Sequence, residues 1–70
     1  MEEKIDIAVE IHGELRKMAL KRGSTVNSVL SALDLLPDAY IALRGKTPIP
    51  ITEVLNPGDT IRLIRVASGG

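Results

Sequence analysis

From Lys4 to Ile11 the chain alternates without a break, with Ile5, Ile7, Val9 and Ile11 on one side and Lys4, Asp6, Ala8 and Glu10 on the other. A period of two is the mark of a strand with one buried face. His12-Gly13 supplies turn chemistry, and Glu14 to Leu20, with Leu15, Met18 and Leu20 apolar, is predicted to return as an antiparallel partner. Its alternation breaks between Leu15 and Met18, which calls for either a bulge or a late register change.

The period then changes. Gly23-Ser24-Thr25 predicts a helix start, because a Ser or Thr oxygen can accept from a first-turn amide that has no partner within the helix. Val26, Val29, Leu30 and Leu33 follow at i, i+3, i+4 and i+7, with Asn27, Ser28, Ser31 and Asp34 opposite them, as on an amphipathic helix. Pro37 disfavours helical geometry at Leu36, so the helix is expected to end near Asp34 to Leu36. Tyr40 to Leu43 reads as a short buried strand and Arg44-Gly45-Lys46 as the turn after it. Pro48 and Pro50 flank Ile49 and confine that piece to an edge or an irregular connection, since each lacks a backbone donor. Thr52 to Leu55 reads as a single helical turn, Asn56-Pro57-Gly58-Asp59 as a tight turn, and Thr60 to Val66 as the last strand, with Ile61 and Leu63 facing the core.

One amphipathic helix among these strands packs most simply across one face of a mixed sheet. The expected fold class is therefore α+β, a β-grasp arrangement, with the last strand beside the first in the middle of the sheet. The domain is expected to span residues 1–66, with 67–70 a flexible C-terminal tail.

Composition narrows the function. Seventy residues make one small domain, which buries only about 60% of its unfolded surface. That leaves little room for an internal catalytic cavity. The absence of cysteine excludes disulfides, thiolate catalysis and thiolate zinc ligation within these residues. Nine basic residues balance nine acidic ones and Tyr40 is the one aromatic ring of the Phe, Trp and Tyr class, so neither phosphate neutralisation nor base stacking is favoured. The start, Met1-Glu2-Glu3, has no basic segment followed by an apolar run, and no stretch approaches a membrane span. These features lead to the expectation of a soluble, cytoplasmic protein that binds neither nucleic acid nor membrane.

No catalytic constellation emerges. His12 sits alone in a turn and reads as a solvated turn residue. Asp6, Glu10, Asp34 and Asp59 are scattered, and Gly45 and Gly58 read as turn glycines rather than as a phosphate cradle, while Gly23, close to the helix entry but alone, is a weak signal for a phosphate site. The expectation is a protein that is no enzyme and holds no cofactor or metal.

The chemistry lies instead in Gly69-Gly70. Two glycines fall at a given pair of positions by chance only about 0.5% of the time at ordinary glycine usage. A carboxylate is a poor electrophile, and forming an amide or thioacid from it requires activation, typically as an acyl adenylate. Glycines present no side chain, so such a segment can thread a narrow channel and let a nucleotide approach closely. Ala67 to Gly70 would reach about 13 Å when extended. The alternative is a frayed end made of small residues. Next to this segment Arg62, Ile64 and Val66 share one side of the last strand, either as a partner-binding patch or as the cover of a second small core.

Taken together, the opening strand, Thr25-Val26 with Leu30 and Leu33, Leu36-Pro37, Leu43-Arg44-Gly45-Lys46, Pro48-Ile49-Pro50, Pro57-Gly58-Asp59 and the final Ser68-Gly69-Gly70 resemble the ubiquitin-like sulfur carriers of the ThiS and MoaD type. The resemblance is closer still to the small archaeal modifier proteins related to them. It implies that an ATP-dependent activating enzyme, using ATP and magnesium and akin to those that activate ubiquitin, adenylates Gly70, with Ala67, Ser68 and Gly69 as the recognised tail. The product would become a thiocarboxylate, fed by a sulfur donor protein and supplying an acceptor enzyme of thiamine, molybdopterin or tRNA thiolation. In the modifier branch Gly70 would form an isopeptide bond with a target-protein lysine. The same resemblance implies a monomer. Arg44-Gly45 stands where thiamine-type carriers usually show Asn-Gly, and molybdopterin-type carriers are generally longer, so neither pathway is assigned. The alternative function is a noncovalent β-grasp interaction module that binds a partner by its last strand or an open sheet edge.

Overall fold

The computed structural model describes residues 3–66. Five strands and one helix follow in the order β1 (Lys4–Ile11), β2 (Glu14–Lys21), α1 (Val26–Ala32), β3 (Tyr40–Arg44), β4 (Thr47–Ile49) and β5 (Thr60–Arg65), with a short 3-10 turn at Pro37–Ala39. The sheet order is β2-β1-β5-β3-β4. β1 and β5 run parallel at its centre and the other pairs run antiparallel. This is the expected β-grasp arrangement, with α1 against the inner face. Ile5, Ile7, Val9 and Ile11 of β1, Val26, Val29 and Leu30 of α1, Ala42, Leu55, and Ile61 and Leu63 of β5 form one buried cluster.

The first hairpin closes through His12 (φ 51°) and Gly13 (φ 78°), the positive pair that a type I′ turn requires. Its register is uninterrupted from Ile11↔Glu14 to Lys4↔Lys21. The apparent break in β2 therefore needs neither a bulge nor a register change. Met18 and Leu20 face inward, while Leu15 belongs to the other face and is 59% exposed.

α1 starts where Thr25 predicts it, with the Thr25 amide donating to Ser28 Oγ at 3.1 Å. It ends at Ala32, sooner than Pro37 alone implies. Asp34 takes φ 59°, so that its amide donates to the Ser31 carbonyl (3.1 Å) and that of Leu35 to the Leu30 carbonyl (2.8 Å), a Schellman motif. An aspartate in this left-handed conformation is strained, and its charge opposes the negative end of the helix dipole. Asp34→Gly should therefore raise stability by about 0.5–1 kcal/mol, the gain being limited by the greater freedom of glycine in the unfolded chain. Thermal unfolding checks this through a midpoint higher by about 4 °C. A lower midpoint would show that the Asp34 side chain contributes more than its backbone strain costs.

Residues Thr52 to Leu55 do not form the helical turn expected of them. Thr52 lies in a turn closed by the Glu53 amide donating to the Pro50 carbonyl (3.0 Å), and Val54 is bridged to Thr25, because the helix start uses the carbonyls of Ile51 and Glu53. The Val26 amide donates to the Glu53 carbonyl (3.1 Å) and that of Asn27 to the Ile51 carbonyl (2.9 Å), satisfying first-turn donors that a helix cannot serve itself. Arg44 ties the same segment to β3, its Nη1 donating to Glu53 Oε2 at 2.7 Å and its Nη2 to Asp59 Oδ2 and to the Val54 carbonyl, each at 3.0 Å. The hydrogen bond that the guanidinium donates to Glu53 is the main cause of its pKa being raised above the ordinary arginine value, opposed by burial and reinforced by the charge of Asp59.

Candidate functional site

β5 lies between β1 and β3, so its inward residues Ile61 and Leu63 are buried and its alternate residues Thr60, Arg62 and Ile64 emerge on the face away from α1. One row across that face reads Leu15 on β2, Glu10 on β1, Arg62 on β5, Leu43 on β3 and Pro48 on β4. In the next row along β5, Ile64 stands opposite Ile41. Both are large exposed apolar side chains, at 42% and 45%. Arg62 Nε donates to Glu10 Oε2 at 3.1 Å. An exposed pair of this kind adds little stability, yet it holds the arginine in line with the apolar residues around it.

Of the sequence-derived site residues, Arg62 and Ile64 thus share one solvent-facing surface with Ile41, Leu43 and Leu15. Val66 is half-buried just past β5, its amide donating to the Ala39 carbonyl at 2.9 Å. Among the described residues the buried apolar side chains form a single cluster that includes neither Ile64 nor Val66, so no second core lies beneath them. Ala67, Ser68, Gly69 and Gly70 lie outside the described residues.

Ile41 and Leu15 escape a reading by period. Tyr40-Ile41-Ala42-Leu43 is apolar on both faces, so only pairing with β5 shows that Ala42 points inward and Ile41 outward. His12 is exposed as expected, with its ring 6.2 Å from that of Tyr40 at a 44° tilt. Glu10, His12, Arg62, Ile64 and Arg65 line a shallow groove where the apolar face meets the hairpin turn. Among the described residues, no group of three or more His, Asp or Glu is placed to hold a metal, and no helix is long and apolar enough to cross a membrane.

The chain covers 97% of itself and 100% of Caldiarchaeum subterraneum ubiquitin at a TM-score of 0.73 and 20% identity. The fold is ubiquitin-like. The N-terminal ubiquitin-like domain of the 4931431F19Rik protein matches all of this chain and 82% of its own at a TM-score of 0.76 and 14% identity. A ubiquitin-like domain of an Arabidopsis thaliana protein matches 97% of this chain and 83% of its own at 0.74 and 10% identity. No family model and no curated protein matches the sequence. At these identities the ubiquitin-like likeness is one of fold, and the same scaffold hosts unrelated functions.

Proposed function

We propose that the chain is a ubiquitin-like carrier or modifier, itself no enzyme, whose Gly70 carboxylate is activated and transferred by other proteins. The observation that supports this reading most is the exposed apolar face of β5, where Ile64 stands beside Ile41 and next to a fixed Arg62–Glu10 pair. Arg65, the half-buried Val66 and two small residues lie between Ile64 and Gly69-Gly70 in the sequence. In the proposed reaction an activating enzyme docks on Ile41, Arg62 and Ile64 and takes the tail, Ala67 to Gly70, into its own active site. The Gly70 carboxylate attacks the α-phosphorus of magnesium-bound ATP, forming an acyl adenylate and releasing pyrophosphate. A sulfur nucleophile at the oxidation level of sulfide then displaces AMP to leave a thiocarboxylate, or a lysine amine becomes the acceptor and an isopeptide bond forms. The first branch supplies thiamine, molybdopterin or tRNA thiolation, and the second marks target proteins. Both place the carrier in the cytoplasm, as a monomer.

Intact mass after incubation with ATP, magnesium, a sulfur donor and the activating enzyme of the source organism tests this. The expected result is an adenylate or thiocarboxylate on Gly70, absent when Gly70 is deleted. Ile64→Asp should slow formation by about tenfold while leaving the unfolding midpoint unchanged, because an exposed position loses docking rather than packing. An unchanged mass, with that enzyme active on another substrate, would reject the carrier reading. A wild-type rate for Ile64→Asp would reject this face as the docking surface.

A noncovalent interaction module is the second reading, favoured by the open edge of β2.

A further inference from the structure

We propose that the groove between the hairpin turn and the end of β5 receives a single carboxylate, an aspartate or glutamate side chain of the protein that docks on the β5 face. The inference rests on the docking reading of that face but does not require activation of Gly70, so the two can fail separately.

The groove exists because β5 outruns its neighbour. β1 ends at Ile11, opposite Leu63, and the chain turns away through His12 and Gly13, while β5 continues through Ile64 and Arg65. The Val66 amide donates to the Ala39 carbonyl, so the even-numbered residues of this stretch serve β3 and Arg65 turns its backbone groups to the β1 side. No residue of β1 extends far enough to meet them. Among the described residues the Arg65 amide therefore has no backbone partner, and Arg65 lines the groove.

Side chains add charged donors around that amide. Arg65 is exposed, and its side chain forms no hydrogen bond or ion pair among the described residues. Arg62 is held in place by its Nε bond to Glu10 (3.1 Å), which occupies one of the five donors of the guanidinium. His12 completes the rim. Its backbone is fixed at φ 51° by the turn, and its ring lies 6.2 Å from that of Tyr40, the cross-strand neighbour of Arg65.

Charge selects the ligand. Glu10 offsets Arg62, so Arg65 is the one uncompensated cation of the groove while His12 is neutral. That suits a monoanion, and the planar guanidinium fork matches the two oxygens of a carboxylate. A phosphate dianion would carry more charge than the groove can offset. The surroundings indicate the source. Ile64 lines the same groove and Ile41 stands beside it, both exposed, so the fitting partner presents an acidic residue next to an apolar one. Histidine is the side chain that changes charge between about pH 5 and 8. The charged or titratable groups around this one are Glu10 on β1, Glu14 and Arg16 on β2, Tyr40 on β3, and Arg62 and Arg65 on β5. An imidazolium there adds attraction for an anion, so capture should strengthen as pH falls.

The test titrates a capped Leu-Glu dipeptide into the whole chain labelled with 15N, with capped Leu-Gln as the uncharged control. We expect saturable shifts centred on the His12, Gly13 and Arg65 amides and on the Nε groups of Arg62 and Arg65. Binding of Leu-Gln should be weaker by about threefold to fivefold, as for loss of an exposed ion pair. Arg65→Gln, at an exposed position where the thermal midpoint should hold, should abolish the preference for the charged peptide. Lowering pH from about 7.5 to about 5.5 should strengthen binding of Leu-Glu by about threefold and leave Leu-Gln unchanged. His12→Asn keeps the turn, because Asn-Gly suits a type I′ hairpin, and should remove this pH dependence. The proposal is overturned if both peptides bind equally, if Arg65→Gln keeps the preference, or if the pH dependence survives His12→Asn. It is equally overturned if inorganic phosphate produces the same shifts at lower concentration, or if no saturable shift appears at tens of millimolar peptide.

Discussion

Leu30→Ala should lower stability by about 2–5 kcal/mol, against a total of about 4–10 kcal/mol for a domain of this length. Leu30 is 1% exposed and is among the largest fully buried side chains, in one cluster with Val9, Val26, Val29 and Ile61. Alanine is the best helix former, so α1 loses none of its local preference and the whole effect is one of packing. The same residue also anchors the end of the helix, because its carbonyl accepts the Leu35 amide. Denaturant unfolding should show a lower midpoint with an unchanged slope, and the thermal midpoint should fall by at least about 10 °C. A loss under about 1 kcal/mol would mean that α1 slides to refill the space and that the helix is not locked against the sheet.

The contrast between this helix and the rest of the chain shows what the sequence makes legible. β1 and α1 each have one apolar face, so a period of two or of 3.6 identifies both and predicts most of the core. β5 is found as a strand because Ile61 and Leu63 alternate with Thr60 and Arg62 after a Pro-Gly turn, and its central place follows from laying one helix across a mixed sheet. The reading fails where local pattern is overruled by partners. Leu15 disturbs the alternation of β2 only if every leucine is assumed to point inward. Thr52 to Leu55 looks helical until the unsatisfied amides of Val26 and Asn27 are counted. The end of α1 depends on a single left-handed residue, Asp34, three positions before Pro37.

The candidate site divides in the same way. Arg62 and Ile64 were visible as one side of the last strand, whereas Ile41 and the Glu10 partner of Arg62 come from strands distant in sequence, which only register can bring together. The open edge of β2 is likewise a property of the assembled sheet, since it follows from the strand order.

Arg44→Ala should cost about 2 kcal/mol, an effect larger than that of any other single ion pair among the described residues. Most of those pairs are well exposed, such as Arg22–Glu3 at 2.7 Å with side chains 71% and 70% accessible. Arg44 is 30% accessible and Asp59 15%, so removing the guanidinium strands two carboxylates and the Val54 carbonyl with less water to replace it. The figure is kept modest because water still screens Glu53 at 36%, and because the buried Nε of Arg44 has no partner even in the intact network. Lysine is one point charge without the planar fork and cannot serve Glu53, Asp59 and Val54 together, so Arg44→Lys should recover less than half of the loss. The pH dependence has a definite sign. The guanidinium pKa is raised in the folded chain, so its contribution is fully present below the ordinary arginine range and is lost only as pH climbs through the folded value. The difference in stability between wild type and Arg44→Ala should therefore stay level from neutral pH to about pH 11. A difference that shrinks over that interval would mean that the network is held by something other than the charged guanidinium. Because Glu53 and Val54 sit in the segment that supplies carbonyls to Val26 and Asn27, the loss should also reach α1, as faster hydrogen exchange of those two amides.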